Sequence, residues 1–241
     1  MWTFLLRIQL DSGIHLYMTS RTLRGPLVSV DIDGTVADTV LHIIQFLERR
    51  FNLDTKPADY PNFDFSKIPF LEDNPAIQAE LRMRLRDPRF YADIPVVAGA
   101  EKAIAALIDA YTVKFISSRP QPTWQMTGMW LAKHFPRALA LLDPQEQFAY
   151  YTERKAAYIH KLRPVAVIED NPDRVHEIAN RRIPVFKVGN RYQRSLPRQT
   201  NFRYVHEVKD VYEAAQRLLK YKGINLPDLV EARQVAGHKE I

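Results

Sequence analysis

Cysteine is absent from all 241 residues. That excludes disulfides and thiolate metal sites, so any metal ion must be held by oxygen or imidazole ligands, and nothing calls for an oxidising compartment. The 7 histidines, His15, His42, His134, His160, His176, His206 and His238, show no paired ligand spacing, which argues against a zinc centre. Long apolar runs are also missing. No stretch approaches the roughly 20 residues that span a bilayer, and the opening MWTFLLRIQLDSGIHLYMTS is broken by Arg7, Asp11 and Ser12. Neither a membrane anchor nor a signal peptide is read there, and the expected location is cytoplasmic. The chain has no internal repeat, no low-complexity block and no G-x-x-x-x-G-K-[ST] loop. Acidic residues are the minority charge, 28 against 34 Lys and Arg, for a formal net charge of +6 and a pI near 9.4. Such an excess favours anionic partners, phosphorylated small molecules and nucleic acids alike, without choosing between them.

What is present is an alternation of strand-like and helix-like segments. Short apolar runs predict strands at Leu27–Asp31, Thr112–Ser117, Leu139–Leu142, Val165–Glu169 and Pro184–Val188, with a weaker one at Phe202–Val205. Apolar residues recurring at three and four predict helices at Thr39–Phe51, Ala98–Tyr111, Thr123–His134, Glu153–Leu162, Arg174–Arg181 and Val208–Leu219. The fold class expected is α/β, a Rossmann-like three-layer sandwich around a mainly parallel sheet. From Asn52 to Ile94 the alternation stops, and ADYPNFDFSKIPFLEDNP is followed by the charged helical stretch AIQAELRMRLRDPRFY. A structureless loop of that length is uncommon in a compact domain, so a small helical cap inserted after the first strand is expected. The domain reading is a core at 27–51 and 95–206, a cap at 52–94, an N-terminal extension at 1–26 and a C-terminal helix and tail at 207–241. The first 25 or so residues are read as loosely attached or accessory, with Met18 an alternative start.

In VSVDIDGTVADT, Asp31 and Asp33 follow directly on an apolar run and precede a glycine. Open parallel sheets bind ligands at the carboxyl ends of their strands, so residues placed there are the first candidates for chemistry. Two further strand ends are polar: FISSRP puts Ser117 and Ser118 after the second strand, and VAVIEDNPDR puts Glu169 and Asp170 after the fourth. Lys155 stands at the start of the helix before that acidic strand. Clustered carboxylates need a cation, and hard oxygen ligands suit Mg²⁺. A Mg²⁺ site with an ammonium and hydroxyls beside it suits a phosphoryl group. Singly, each motif has an ordinary structural explanation: an Asx turn, a capped strand-to-helix turn, a solvated lysine. Their order and placement carry the inference.

DIDGT at 31–35, the strand ending in Ser117, Lys155 and the Glu169-Asp170 pair together resemble the four motifs of the haloacid dehalogenase superfamily, over roughly Leu27 to Val205. Within it the chain is most similar to the 5'(3')-deoxyribonucleotidases, whose helical cap lies between the first two motifs. The resemblance implies a Mg²⁺-dependent phosphomonoesterase in which Asp31 is the nucleophile and Asp33 the general acid and base. It further implies that Gly34, Ser117 in preference to the adjacent Ser118, and Lys155 serve the phosphate. Asp31, the Asp33 carbonyl, Glu169 and Asp170 would hold the metal. Serine stands where threonine is more frequent, and Glu169-Asp170 where nucleotidases often have two aspartates. The substrate implied is a small phosphomonoester, a nucleoside monophosphate, with a nucleic-acid 3'-phosphate or a sugar phosphate as alternatives; no membrane partner is expected, and a homodimer is admissible.

Four further groups of residues carry expectations. Asp173 is either a distant member of the metal shell or a helix N-cap. Trp124 and Trp130 fall on different faces of one helix, so one should pack on the sheet. Tyr60, Phe63, Phe65 and Phe90 in the insertion form a core or stack on a base. Arg191, Arg194, Arg198 and Arg203 are solvated or form a basic rim.

Overall fold

The computed structural model describes residues 5–9, 15–19, 25–60, 68–139, 148–150, 155–189 and 195–220. Near the N-terminus β1 (Leu5–Gln9) and β2 (His15–Thr19) pair antiparallel in a sheet of their own. The main sheet is built from β3 (Leu27–Val30), β4 (Thr112–Ser117), β5 (Phe148–Tyr150), β6 (Ala166–Glu169), β7 (Val185–Val188) and β8 (Val205–Val208), all parallel, in the order β5-β4-β3-β6-β7-β8. β3 is therefore central, flanked by β4 and β6.

Apolar residues line both sides of these strands because helices cover both faces. Ile116, Val167 and Val185 pack against Ala156 and Ile159 of α7 (Lys155–Leu162) and against Val175 and Ile178 of α8 (Pro172–Ala179). The neighbouring Val28, Val30, Phe115 and Ile168 belong to the other cluster. There they meet α1 (Thr39–Phe51), α4 (Ala100–Leu107), α5 (Trp124–His134) and α9 (Val211–Lys220). The three layers follow from this alternation. α1 is fixed at both ends, by the Asp38 carboxylate accepting from Leu41 N–H at 3.2 Å and by Asn52 in the left-handed region at φ 53°.

Between α1 and α4 the described chain is helical in short pieces: a 3₁₀ turn at Pro57–Asp59, α2 (Pro69–Glu72), α3 (Pro75–Arg84) and a 3₁₀ turn at Pro88–Tyr91. Each opens on proline, whose missing N–H costs nothing at a first helical position. Ile68, Leu71 and Leu81 are fully buried against the same core as Phe46 of α1.

Several expected boundaries move, and three of the changes alter an expected strand or cap. Leu139, read as the start of a strand, ends α6 (Pro136–Leu139), which Pro136 initiates; residues 140–142 lie outside the described residues, and the strand beside β4 is Phe148–Tyr150. Phe202–Tyr204 is a 3₁₀ turn closed by Tyr204 N–H on the Asn201 carbonyl, and β8 begins only at Val205. α8 starts at Pro172 with Asn171 as its cap, accepting from Asp173 N–H at 3.0 Å, so Asp173 sits in the first turn and is not the cap.

Candidate active site

Because β3 is flanked by β4 and β6, the three polar strand ends converge at the point where the sheet order turns back on itself. Asp31 N–H still bonds the Ile168 carbonyl of β6 at 2.9 Å. The chain then turns sharply, with Val36 and Ala37 N–H both returning to the Ile32 carbonyl and Gly34 N–H bonding Ala37 O at 2.8 Å. Gly34 has φ 80°, and a Cβ there would overlap the Asp170 carboxylate, so only glycine lets the turn and the acidic strand end meet. With its N–H used inside the turn, Gly34 contributes space and backbone shape.

Two sets of buried ion pairs organise the site. Lys155, 3% exposed, bonds one oxygen of Asp31 and Glu169 Oε2, the latter at 2.7 Å. Glu169 Oε1 accepts from Asn171 N–H at 3.1 Å, which sets its rotamer. The second is Arg119 on Asp33, with Nε 2.9 Å from Oδ2 and Nη2 2.8 Å from Oδ1. Arg119 also donates to Thr127 Oγ1 at 3.1 Å and lies under the Tyr91 ring at 4.6 Å, while Thr39 donates to Asp33 at 2.5 Å. A planar fork gripped this way holds Asp33 in one orientation.

Asp170 has no such company. Among the described residues neither of its buried oxygens has a hydrogen-bond partner, although a ligand atom from each of Asp31, Glu169 and Asp170 lies within 4.8 Å of the others. Burial raises Asp170 well above the usual carboxylate range, and Asp31 and Glu169 add to the shift. Burial, helped by Glu169 and opposed by Lys155, pushes Asp31 up to about 7. Burial would lower Lys155, but Asp31 and Glu169 outweigh it and hold the ammonium form. Asp33 behaves oppositely: burial would raise it, but Arg119 and Thr39 outweigh that and hold it below its usual value. Three carboxylates facing one ammonium leave a deficit of two positive charges once all are ionised.

The strand ends open on a cavity of about 490 Å³, within the range of roughly 300–1,000 Å³ for small-ligand sites. Asp31, Asp33, Ser118, Lys155, Glu169 and Asp170 line it, together with Arg119, Tyr91, Arg82, Arg86 and Arg174. Of the two serines, Ser118 borders the cavity, whereas Ser117 is buried beneath, its Oγ accepting from Arg119 N–H at 3.0 Å. Trp130 is buried, its indole N–H on the Ile94 carbonyl at 2.8 Å, while Trp124 is only partly covered. Among the insertion aromatics, Tyr60 and Phe90 are core residues, Tyr60 paired to Thr55 at 2.8 Å and Phe90 packed edge-on against His42. Neither borders the cavity; Phe63 and Phe65 lie outside the described residues. Arg198 and Arg203 do not border it either, and Arg191 and Arg194 lie outside the described residues. The reading of the sequence missed Arg119, Thr39 and Tyr91. Only the position of Arg119, two residues past a strand end that was itself a candidate, could have drawn attention to it.

Residues 25–217 match the family model described as 5' nucleotidase, deoxy (pyrimidine), cytosolic type C protein (NT5C). The chain belongs to this family. It is a phosphatase of the haloacid dehalogenase superfamily. Among solved structures, a haloacid dehalogenase-like hydrolase of Streptococcus pneumoniae superposes with a TM-score of 0.52 at 10% identity, over 82% of this chain and 98% of that one. Its counterpart from Xanthomonas campestris gives 0.51 at 13%, over 83% and 97%. A haloacid dehalogenase family hydrolase of Deinococcus radiodurans with bound phosphate and sodium gives 0.53 at 12%, over 83% and 97%. At these identities the likeness concerns the fold. No curated protein matches significantly.

As a nucleotidase-family chain, the protein makes the role of Arg119 testable. Lysine keeps the charge but cannot grip both Asp33 oxygens. Arg119→Lys is expected to lower kcat on the order of tenfold or more, through loss of orientation, with the melting temperature near that of the wild type. Unchanged kcat in the folded variant would show that the fork takes no part in turnover.

Proposed function

We propose that the chain is a Mg²⁺-dependent nucleotidase that cleaves (deoxy)nucleoside monophosphates through a phosphorylated Asp31. The observation that carries this reading is Asp170: a buried carboxylate with two oxygens unpartnered among the described residues, beside two more carboxylates, in a site short of two positive charges once all are ionised. Such a carboxylate is costly unless a cation completes it. An all-oxygen set fits Mg²⁺, with Asp31, Glu169, Asp170 and the Asp33 carbonyl as the residues that would hold it. When bound, the ion supplies charge neutralisation and orientation of the phosphoryl oxygens.

The chain's own residues do the rest. Lys155 anchors Asp31 Oδ1, leaving Oδ2 to attack phosphorus in line. As that bond forms, the ester P–O bond breaks and the leaving oxygen takes a proton from Asp33. Asp33, now a carboxylate, removes a proton from water; the water oxygen attacks the phosphorus and the Asp31–phosphorus bond breaks, releasing phosphate. Ser118 and Lys155, both lining the cavity, would donate to the phosphoryl oxygens. Support for a phosphoryl ligand comes from the phosphate bound in the Deinococcus relative by fold, and for a nucleotide from family membership.

The test is phosphate release from deoxy- and ribonucleoside 5'- and 3'-monophosphates, a 3'-phosphorylated oligonucleotide and sugar phosphates, with Mg²⁺ or with EDTA. Release from the monophosphates is expected with Mg²⁺ and is lost to EDTA, then restored by excess Mg²⁺. Turnover that survives chelation would sink the metal reading, and a preference for the oligonucleotide or the sugar phosphates would sink the substrate reading.

A further inference from the structure

The cavity carries two sets of cations with different commitments. Lys155 and Arg119, at its floor, are paired to Asp31, Glu169 and Asp33. Arg82 on α3 and Arg86 in the turn that follows line the same cavity four residues apart, both exposed. The two acids nearest them in the chain are already used: Glu80 holds Arg50 at 2.7 Å, and Asp87 holds Arg84 at 3.2 Å and Arg89 at 2.9 Å. Among the described residues, no acid is paired to Arg82 or Arg86. Arg174 joins the lining from α8, already held by Glu177 at 2.9 Å.

Arg82 and Arg86 are like charges lining one cavity, and no acid among the described residues offsets either, so the fold gains nothing from placing them there. Facing a cavity, they form a fork suited to an anion with several acceptor oxygens. We propose that Arg82 and Arg86 bind a second phosphoryl group on the substrate whose first group is held at Asp31, so that the preferred substrate is a nucleoside 3',5'-bisphosphate. This rests on the nucleotidase reading of the site. Two guanidinium groups match the two negative charges of a terminal phosphate, whereas a phosphodiester carries only one.

Kinetics on a nucleoside 3',5'-bisphosphate, its two monophosphates and a 3'-phosphorylated dinucleotide test it in wild type, Arg82→Ala/Arg86→Ala and Arg89→Ala. The bisphosphate should exceed the better monophosphate in kcat/KM by on the order of tenfold. The double variant should bring the two level. Arg89→Ala, whose guanidinium is held by Asp87, should keep the gap, separating a site from the effect of net charge. Equal rates on bisphosphate and monophosphates in wild type overturn the second site and leave the nucleotidase reading standing. An advantage shared by the dinucleotide overturns the bisphosphate assignment in favour of a phosphodiester. Calorimetric titration of Asp31→Asn, in which the covalent route is closed, adds a readout without turnover: tighter binding of the bisphosphate than of the monophosphate upholds the second site, and equal binding overturns it.

Discussion

Asp31→Asn is expected to reduce phosphate release on the order of 10⁴-fold or more, because an amide oxygen is a poor nucleophile and the covalent route closes. The loss should not come from unfolding. Lys155 keeps Glu169 at 2.7 Å, and asparagine has the shape of aspartate. Asp31 is raised from 3.8 to about 7, burial being the main cause. Its contribution to stability is therefore present at pH below the unfolded value and is lost as pH rises through about 7, where the native state must charge a buried carboxyl. Asparagine carries no such penalty. In the presence of chelator, the melting temperature of Asp31→Asn should thus equal or exceed that of wild type at pH 8, with the difference shrinking toward pH 5. An inactive variant that melts lower than wild type at pH 8 would point to structural damage, and retained turnover would remove Asp31 from the nucleophile's role.

The part of this site that could be read in the sequence is the part that hangs on strand ends. Asp31, Ser117 and Glu169 each terminate or follow an apolar run, and once the strands are adjacent and parallel their tips must converge. Lys155 was legible by its place at the start of the helix before the acidic strand, but its role only through the resemblance, since an ammonium at a helix start has no pattern of its own. Arg119 was illegible for a physical reason: its partner Asp33 lies 86 residues away, and an arginine in a strand-to-helix turn reads as solvated until the fold closes over it. The insertion shows the same limit. Composition announces aromatics but not their direction, so Tyr60 and Phe90 turn into the core while their neighbour Tyr91 borders the cavity and covers Arg119. At the sheet edge, β5 has only three residues, too few for periodicity to separate it from the apolar run at 138–142.

Asp33→Asn should lower kcat by roughly 10²–10⁴-fold, and the leaving group decides by how much. Arg119 holds the Asp33 carboxyl low, which favours the base that activates water and works against the acid that protonates the departing oxygen. The geometry suggests how both can be served. An arriving phosphate brings negative charge beside Asp33 and competes for the Arg119 donors, and both effects raise the carboxyl toward protonation. Asparagine removes both roles at once. A substrate with a good leaving group, such as p-nitrophenyl phosphate, needs no acid for the first step but still needs the base for the second. With it, Asp33→Asn should show a burst of nitrophenol equal to the enzyme present, followed by slow release as the phosphorylated Asp31 accumulates. With a nucleoside monophosphate no burst should appear, because the first step is then slow as well. Equal losses on both substrates with no burst on either would mean that Asp33 acts only by holding Arg119 in place.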